Sequence, residues 1–170
     1  MQRLFALVIA VVSVMAIVLT TQSWANGYQL GIDVSWNGLG TRTGGTDVPA
    51  DPTEAVSVTP LGIWVVVACV IALLVAVVMV FPKLCGLAVP LRWIGGLVML
   101  AAAAVPLVIL VRPITFLSMF DHMGGDQAAH YRGLMRESVL QPSTLYSLAV
   151  VLLLGVATCV AAALVARRPS

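Results

Sequence analysis

Residues 61–81 read LGIWVVVACVIALLVAVVMVF, 21 positions without Asp, Glu, Lys, Arg or His. A helix of about 20 apolar residues is what crosses a hydrocarbon core of about 30 Å. Three further stretches share this character: Leu4–Thr20, Trp93–Val111 and Leu145–Ala166. Lipid offers no partner to a backbone N–H or C=O, so each stretch must close its hydrogen bonds internally as a helix. A closed barrel needs about eight alternating strands, which this chain does not have. The expected fold is therefore all-α and integral to a membrane: a bundle of four transmembrane helices.

Composition leads to the same class. Of 170 residues, 61% are hydrophobic and 9% charged, against about a quarter charged in a soluble domain. The apolar residues come in blocks and not in an amphipathic rhythm. The expected segments are a first span at 4–20, a first loop at 21–60, a second span at 61–81, a short loop at 82–92, a third span at 93–111, a second loop at 112–144, a fourth span at 145–166 and a tail at 167–170.

The net charge of +2 conceals an asymmetry. Arg3, Lys83, Arg92, Arg167 and Arg168 flank the spans on one side, with no acid among them. The other side carries Arg42, Arg112, Arg132 and Arg136 against all seven carboxylates: Asp33, Asp47, Asp51, Glu54, Asp121, Asp126 and Glu137. Short inner segments with positives near the span ends obey the positive-inside rule. The expectation is a plasma-membrane protein with both termini cytoplasmic and both long loops outside. An Arg-dominated basic set with much Ala, Val and Gly suggests a bacterial source. The positives are too scattered for a nucleic-acid patch. Cys69, Cys85 and Cys159 fall in spans or the short inner loop, so no outer disulfide framework is expected.

The first stretch follows Met1-Gln2-Arg3 and precedes Ser23-Trp24-Ala25, a small-x-small sequence that a signal peptidase accepts. Its length exceeds a usual signal core of 7–15 residues, and Ala6, Ala10, Ser13 and Ala16 make a small stripe suited to helix packing. Retention as an uncleaved signal anchor is the expectation.

In the first loop, Tyr28, Leu30, Ile32, Val34 and Trp36 alternate with polar or small residues, a strand pattern. Asn37-Gly38 then marks a reverse turn, with return strands expected at Leu39–Thr43 and Ala55–Thr59. In the second loop, Ile114–Phe120 is too short to cross and is expected in the headgroup zone or against the first loop. Asp126 opens an amphipathic surface helix over about 126–141, with Tyr131 on its apolar face. Pro106 is expected to kink the third span.

Four spans with a long β-prone first loop and a shorter helical second one resemble the claudin-type arrangement, and Trp36-Asn37-Gly38-Leu39 resembles that family's Trp…Gly-Leu-Trp. The family's second Trp and paired loop cysteines have no counterpart here. No function is carried across, since a shared architecture does not transfer activity.

Chemistry-bearing groups are few. His122, Asp126 and His130 stand four apart and could face one another on a helix as ligands for Zn or Cu, but Gly124-Gly125 interrupts that helix. Asp47, Asp51 and Glu54 lack the spacing of a calcium loop. No phosphate-binding or nucleophile-elbow motif occurs. The expectation is therefore no catalytic residue and no cofactor. Partners are expected to be other integral membrane proteins and the lipid bilayer. Candidate contact residues are Tyr28, Trp36 and Tyr131 in the loops, Ala68, Ala72 and Ala76 on the second span, and Gly155, Cys159 and Ala163 on the fourth. The leading expectation is a non-enzymatic accessory subunit of a membrane complex, in an envelope-transport or lipid-handling assembly. The alternatives are a self-assembling pore for apolar solutes, hence a homo-oligomer, and a metal-dependent membrane enzyme using His122 and His130.

Overall fold

The computed structural model describes residues 2–28, 33–44, 58–81, 85–117 and 138–166. Four long helices carry the fold: α1 (Gln2–Thr21), α2 (Gly62–Val80), α3 (Cys85–Val111) and α4 (Pro142–Ala166). A small sheet, β1 (Ser23–Asn26), β2 (Ser35–Asn37) and β3 (Arg42–Gly44), lies between α1 and α2 in sequence, and a 3-10 turn (Pro113–Thr115) follows α3. At 1.5 Å per residue the helices are about 30–40 Å long. All four are long and apolar enough to cross a membrane.

The helices form a closed ring, α1 against α2, α2 against α3, α3 against α4 and α4 against α1. Successive members run antiparallel, so one end gathers the α1 and α3 C-termini with the α2 and α4 N-termini. That end carries the sheet. Each inward face carries small residues, Ala6, Ser13 and Ala16 on α1, Ala68, Ala72 and Ala76 on α2, Ala102 and Ala103 on α3, and Gly155, Ala162 and Ala163 on α4, packed among larger ones such as Ile9, Val65, Met99, Leu148 and Leu152. Facing outward are Leu4, Leu7, Val11, Leu74, Val77, Leu97, Leu100, Leu153 and Leu154. Such an apolar belt far exceeds what a soluble monomer exposes. With small residues on every inward face and an apolar belt outside, this is packing suited to lipid. The chain is a multi-pass membrane protein.

Packing layers follow from the glycines. A Cβ on Gly155 would lie 2.8 Å from Met99 Cε and 3.2 Å from Val12 Cγ1, so α1, α3 and α4 meet there. One turn further from the sheet, Gly95 faces Val75 and Cys159, and Gly96 faces Cys159. Hydroxyls inside the spans turn back onto their own helices: Ser13 Oγ donates to Ile9 O and Thr158 Oγ1 to Leu154 O, at 2.8 and 2.7 Å. That satisfies them without a cross-bundle polar path.

Several boundaries differ from the sequence expectation. α3 begins at Cys85, not Trp93, and runs through both Pro90 and Pro106. The expected inner loop of 82–92 is correspondingly shorter, and Arg92 lies within the helix. α4 takes Pro142 as its first residue, where a missing N–H costs nothing. The sheet is three-stranded and antiparallel in the order β1-β2-β3. Its first strand is Ser23–Asn26, upstream of the expected alternating segment, of which only Ser35 and Trp36 enter β2. Val58 and Thr59 are not in a strand. The expected surface helix lies outside the described residues except for its last four positions. There Leu140 bridges Ala25 and Gln141 N donates to Trp24 O.

Candidate functional site

Trp24 organises the sheet-bearing end. α1 ends at Thr21 with its last carbonyls lacking intrahelical partners. Leu19 O accepts from Trp24 Nε1 at 3.0 Å, and Thr20 O accepts from Gly38 N at 3.0 Å. The Trp24 side chain is 0% exposed, and its ring lies 5.7 Å from that of Phe116 at 45°. Gly38 rests against the indole, where a Cβ would come within 2.6 Å of Cε2 and 2.7 Å of Cη2. Gly38 O in turn accepts from Gly62 N at 2.7 Å, and a Cβ on Gly62 would lie 2.5 Å from Thr20 Cγ2. Gln141 N donates to Trp24 O at 2.9 Å, and Thr59 N to Phe116 O at 2.9 Å. Trp24, through its indole, its carbonyl and the Gly38 seated against it, thus links the end of α1, the start of α2, the segment after α3 and the residue before α4.

The β2–β3 turn forms as Asn37-Gly38 predicts, for different reasons. Asn37 Oδ1 accepts from Leu39 N and Thr41 N, both at 3.0 Å, so the side chain holds the loop. The positive φ falls at Gly40, +77°, not at Gly38. Gly38 is glycine because the indole leaves no room for a side chain. Phe116 and Leu117 are fully buried, and Phe116 packs on Trp24 of the first loop, one of the two expected placements for the stretch, whose residues 118–120 lie outside the described ones.

Of the predicted contact residues, Ala68, Ala72, Ala76, Cys159 and Ala163 are buried, and Gly155 packs on Met99. In this structure they meet helices of the same chain. Trp36, in β2, is buried, and Tyr28 is 58% exposed. The Tyr28 hydroxyl donates to the Asp33 carboxylate, which raises the phenol above its ordinary 10.0. Tyr131, His122, Asp126 and His130 lie outside the described residues.

Arg92 is the site residue that sequence reasoning misread. It was expected as a flanking loop charge, yet it is 2% exposed and faces α4, where Nη1 donates to Ala162 O at 3.0 Å. Its Nε is buried without a hydrogen-bond partner. A buried guanidinium held by one neutral carbonyl is costly, and an ionisable group inside a membrane domain usually marks function. The available signal was helical register: Arg92 precedes Gly95, Gly96 and Met99 at spacings of three, four and seven, on the face that packs inward.

Two apolar grooves each end in an exposed arginine. One, of about 260 Å³, runs between α1 and α2 and is lined by Arg3, Ala6, Leu7, Ala76, Val77 and Val80 among others. The other, of about 360 Å³, lies on α3 beside Leu107, Val111 and Arg112. Among the described residues, no group of three His, Cys, Asp or Glu is placed to hold a metal.

No protein-family model, curated protein or solved structure matches this chain. The functional reading therefore rests on geometry alone. That geometry has two poles: a clamped cap at one end and, at the other, the exposed Arg3 with no acid beside it among the described residues.

Proposed function

We propose that the chain is a non-enzymatic accessory subunit of a larger plasma-membrane assembly, a four-span pedestal that holds a small folded cap for a partner protein. The observation that carries this reading is the Trp24 junction, which fastens the cap to all four helix ends. A transporter needs elements that separate and close. Here the cap is cross-tied, and the Ser13 and Thr158 hydroxyls are satisfied within their own helices. Tyr28, exposed and oriented by Asp33, is the described aromatic best placed to meet a partner. The Ala and Gly stripes serve this chain's own packing, so the proposal rests on the cap.

The orientation we propose puts the cap outside and both termini in the cytoplasm of a bacterial cell. Five positives and no acid at the end opposite the cap support it. Reporter fusions after Glu54 and Glu137 should be active outside; cytosolic activity would overturn the orientation. Extraction in mild detergent followed by mass spectrometry should recover a foreign subunit in fixed ratio, and a photo-cross-linker replacing Tyr28 should capture the same protein. Recovery of this chain alone, as a homo-oligomer, would overturn the accessory role.

A further inference from the structure

We infer that the groove between α1 and α2, at the end opposite the cap, binds an anionic phospholipid, with one acyl chain in the groove and its phosphate on Arg3. Ala6 and Ala76, both buried, form the floor; Leu7 and Val77, both exposed on the bundle surface, form the walls. Small residues opposite large ones leave a channel along the helix pair that faces lipid. The lining is apolar throughout except at one end, where Arg3 stands exposed in the first turn of α1.

The charge at that end decides the headgroup. The described residues give Arg3 no ion-pair partner, and the sequence has no acidic side chain before Asp33, between Glu54 and Asp121, or after Glu137. Those acids all belong to the two segments that follow α1 and α3 in sequence. The described residues leave Arg3 without a counter-charge, so an anion at the membrane surface is free to provide one. A phosphate diester at headgroup depth supplies it, and its acyl chain enters the channel below. The helix dipoles do not choose the ligand, since the positive end of α1 stands beside the negative end of α2.

The inference does not depend on the accessory role and can be tested on the purified full-length chain by native mass spectrometry. Protein in mild detergent is mixed with phosphatidylglycerol or with phosphatidylcholine of the same acyl composition, and bound lipids are counted. Phosphatidylglycerol should be retained in preference by about fivefold, the ratio expected from one arginine at an anionic headgroup. Arg3→Gln should abolish the preference, and Arg3→Lys should keep most of it. Ala10→Phe, on a groove-lining position, should lower retention of the anionic lipid without changing helicity. Equal retention of both lipids by the wild type, or an unchanged preference in Arg3→Gln, would overturn the proposal. So would displacement of the lipid by millimolar inorganic phosphate, because that would mean the acyl chain adds nothing.

Discussion

Adding one methyl group to Gly38 tests the Trp24 junction most directly. The new Cβ of Gly38→Ala would sit 2.6 Å from Cε2 and 2.7 Å from Cη2 of the indole, where carbon pairs rest at about 3.5–4.0 Å. Relief requires the ring to move by about 1 Å. Three contacts oppose this: the Nε1–Leu19 O bond, the Phe116 ring and the Gln141 bond to the Trp24 carbonyl. Overpacking costs about 1–3 kcal/mol and loss of the indole hydrogen bond about 1 kcal/mol. The sum, about 2–4 kcal/mol, should be measurable by titrating SDS into mild-detergent micelles and following far-ultraviolet circular dichroism. Trp24→Phe shortens the ring and vacates the space the methyl needs. In that background, Gly38→Ala should cost less than about 1 kcal/mol, a coupling typical of residues in contact. Gly40→Ala is the comparison: its cost comes from the φ of +77° and should be equal in both backgrounds. If Gly38→Ala unfolds with the wild type, or costs the same with and without the indole, the junction is not built as described.

Three further outcomes follow from the spans and the cap. Arg92→Met removes a buried guanidinium that, among the described residues, has only the Ala162 carbonyl as partner, so the same titration should show unchanged stability or a gain of about 1–4 kcal/mol; a loss would mean that Arg92 has an attractive partner in the native protein. The Tyr28 phenol donates to Asp33 and titrates above 10.0. That contact is present below 10 and lost as pH rises through the elevated value, so Asp33→Asn should lower the Tyr28 midpoint in an absorbance titration read against Tyr28→Phe, and an unmoved midpoint would exclude the contact. Cys69 and Cys159 are fully buried, so a membrane-permeant maleimide should leave both unmodified until the protein is denatured; rapid labelling of either in the native state would refute the packing.

The four spans were legible because lipid sets a demand that composition alone can meet: enough consecutive apolar residues, with nothing charged. The α3 boundary was not legible, since Pro90 and Arg92 both read as terminators. Pro90 sits in the second turn of α3, where it withholds one N–H from the helix without ending it, and Arg92 finds room beside Ala162 on α4. The strand at Ser23–Asn26 gave no period-2 signal; its central residues, Trp24 and Ala25, are both buried. Ser23-Trp24-Ala25 read as a processing sequence, whereas the indole is the hub of the cap. Asn37-Gly38 identified a turn but not its cause, since a sequence motif cannot report that an aromatic ring from 14 positions earlier covers the glycine. The small-residue stripes correctly marked close helix approach. Whether the neighbour is another protein or this chain is a question of tertiary structure, and here the neighbours are α1 to α4 themselves.

That division of packing explains why the cap matters to the helices. Inside lipid, moving an alanine from an acyl chain to another helix gains little, because both surroundings are equally apolar, and association rests on dispersion and close fit. Ala72, Gly155 and Ala162 supply fit without much area. Beyond the helix ends the hydrophobic effect operates again, and there the chain buries Trp24, Trp36, Phe116 and Leu117. An indole alone removes about 150–250 Å² from water, worth about 4–6 kcal/mol as an upper figure at 25 cal/mol per Å². Because Trp24 touches or bonds to segments joined to all four helices, that free energy acts on their relative placement and not on any one of them. The bundle is therefore held tightest at the cap, and loosening the indole should loosen helix registry as far as the Met99–Gly155 layer before any helix unwinds.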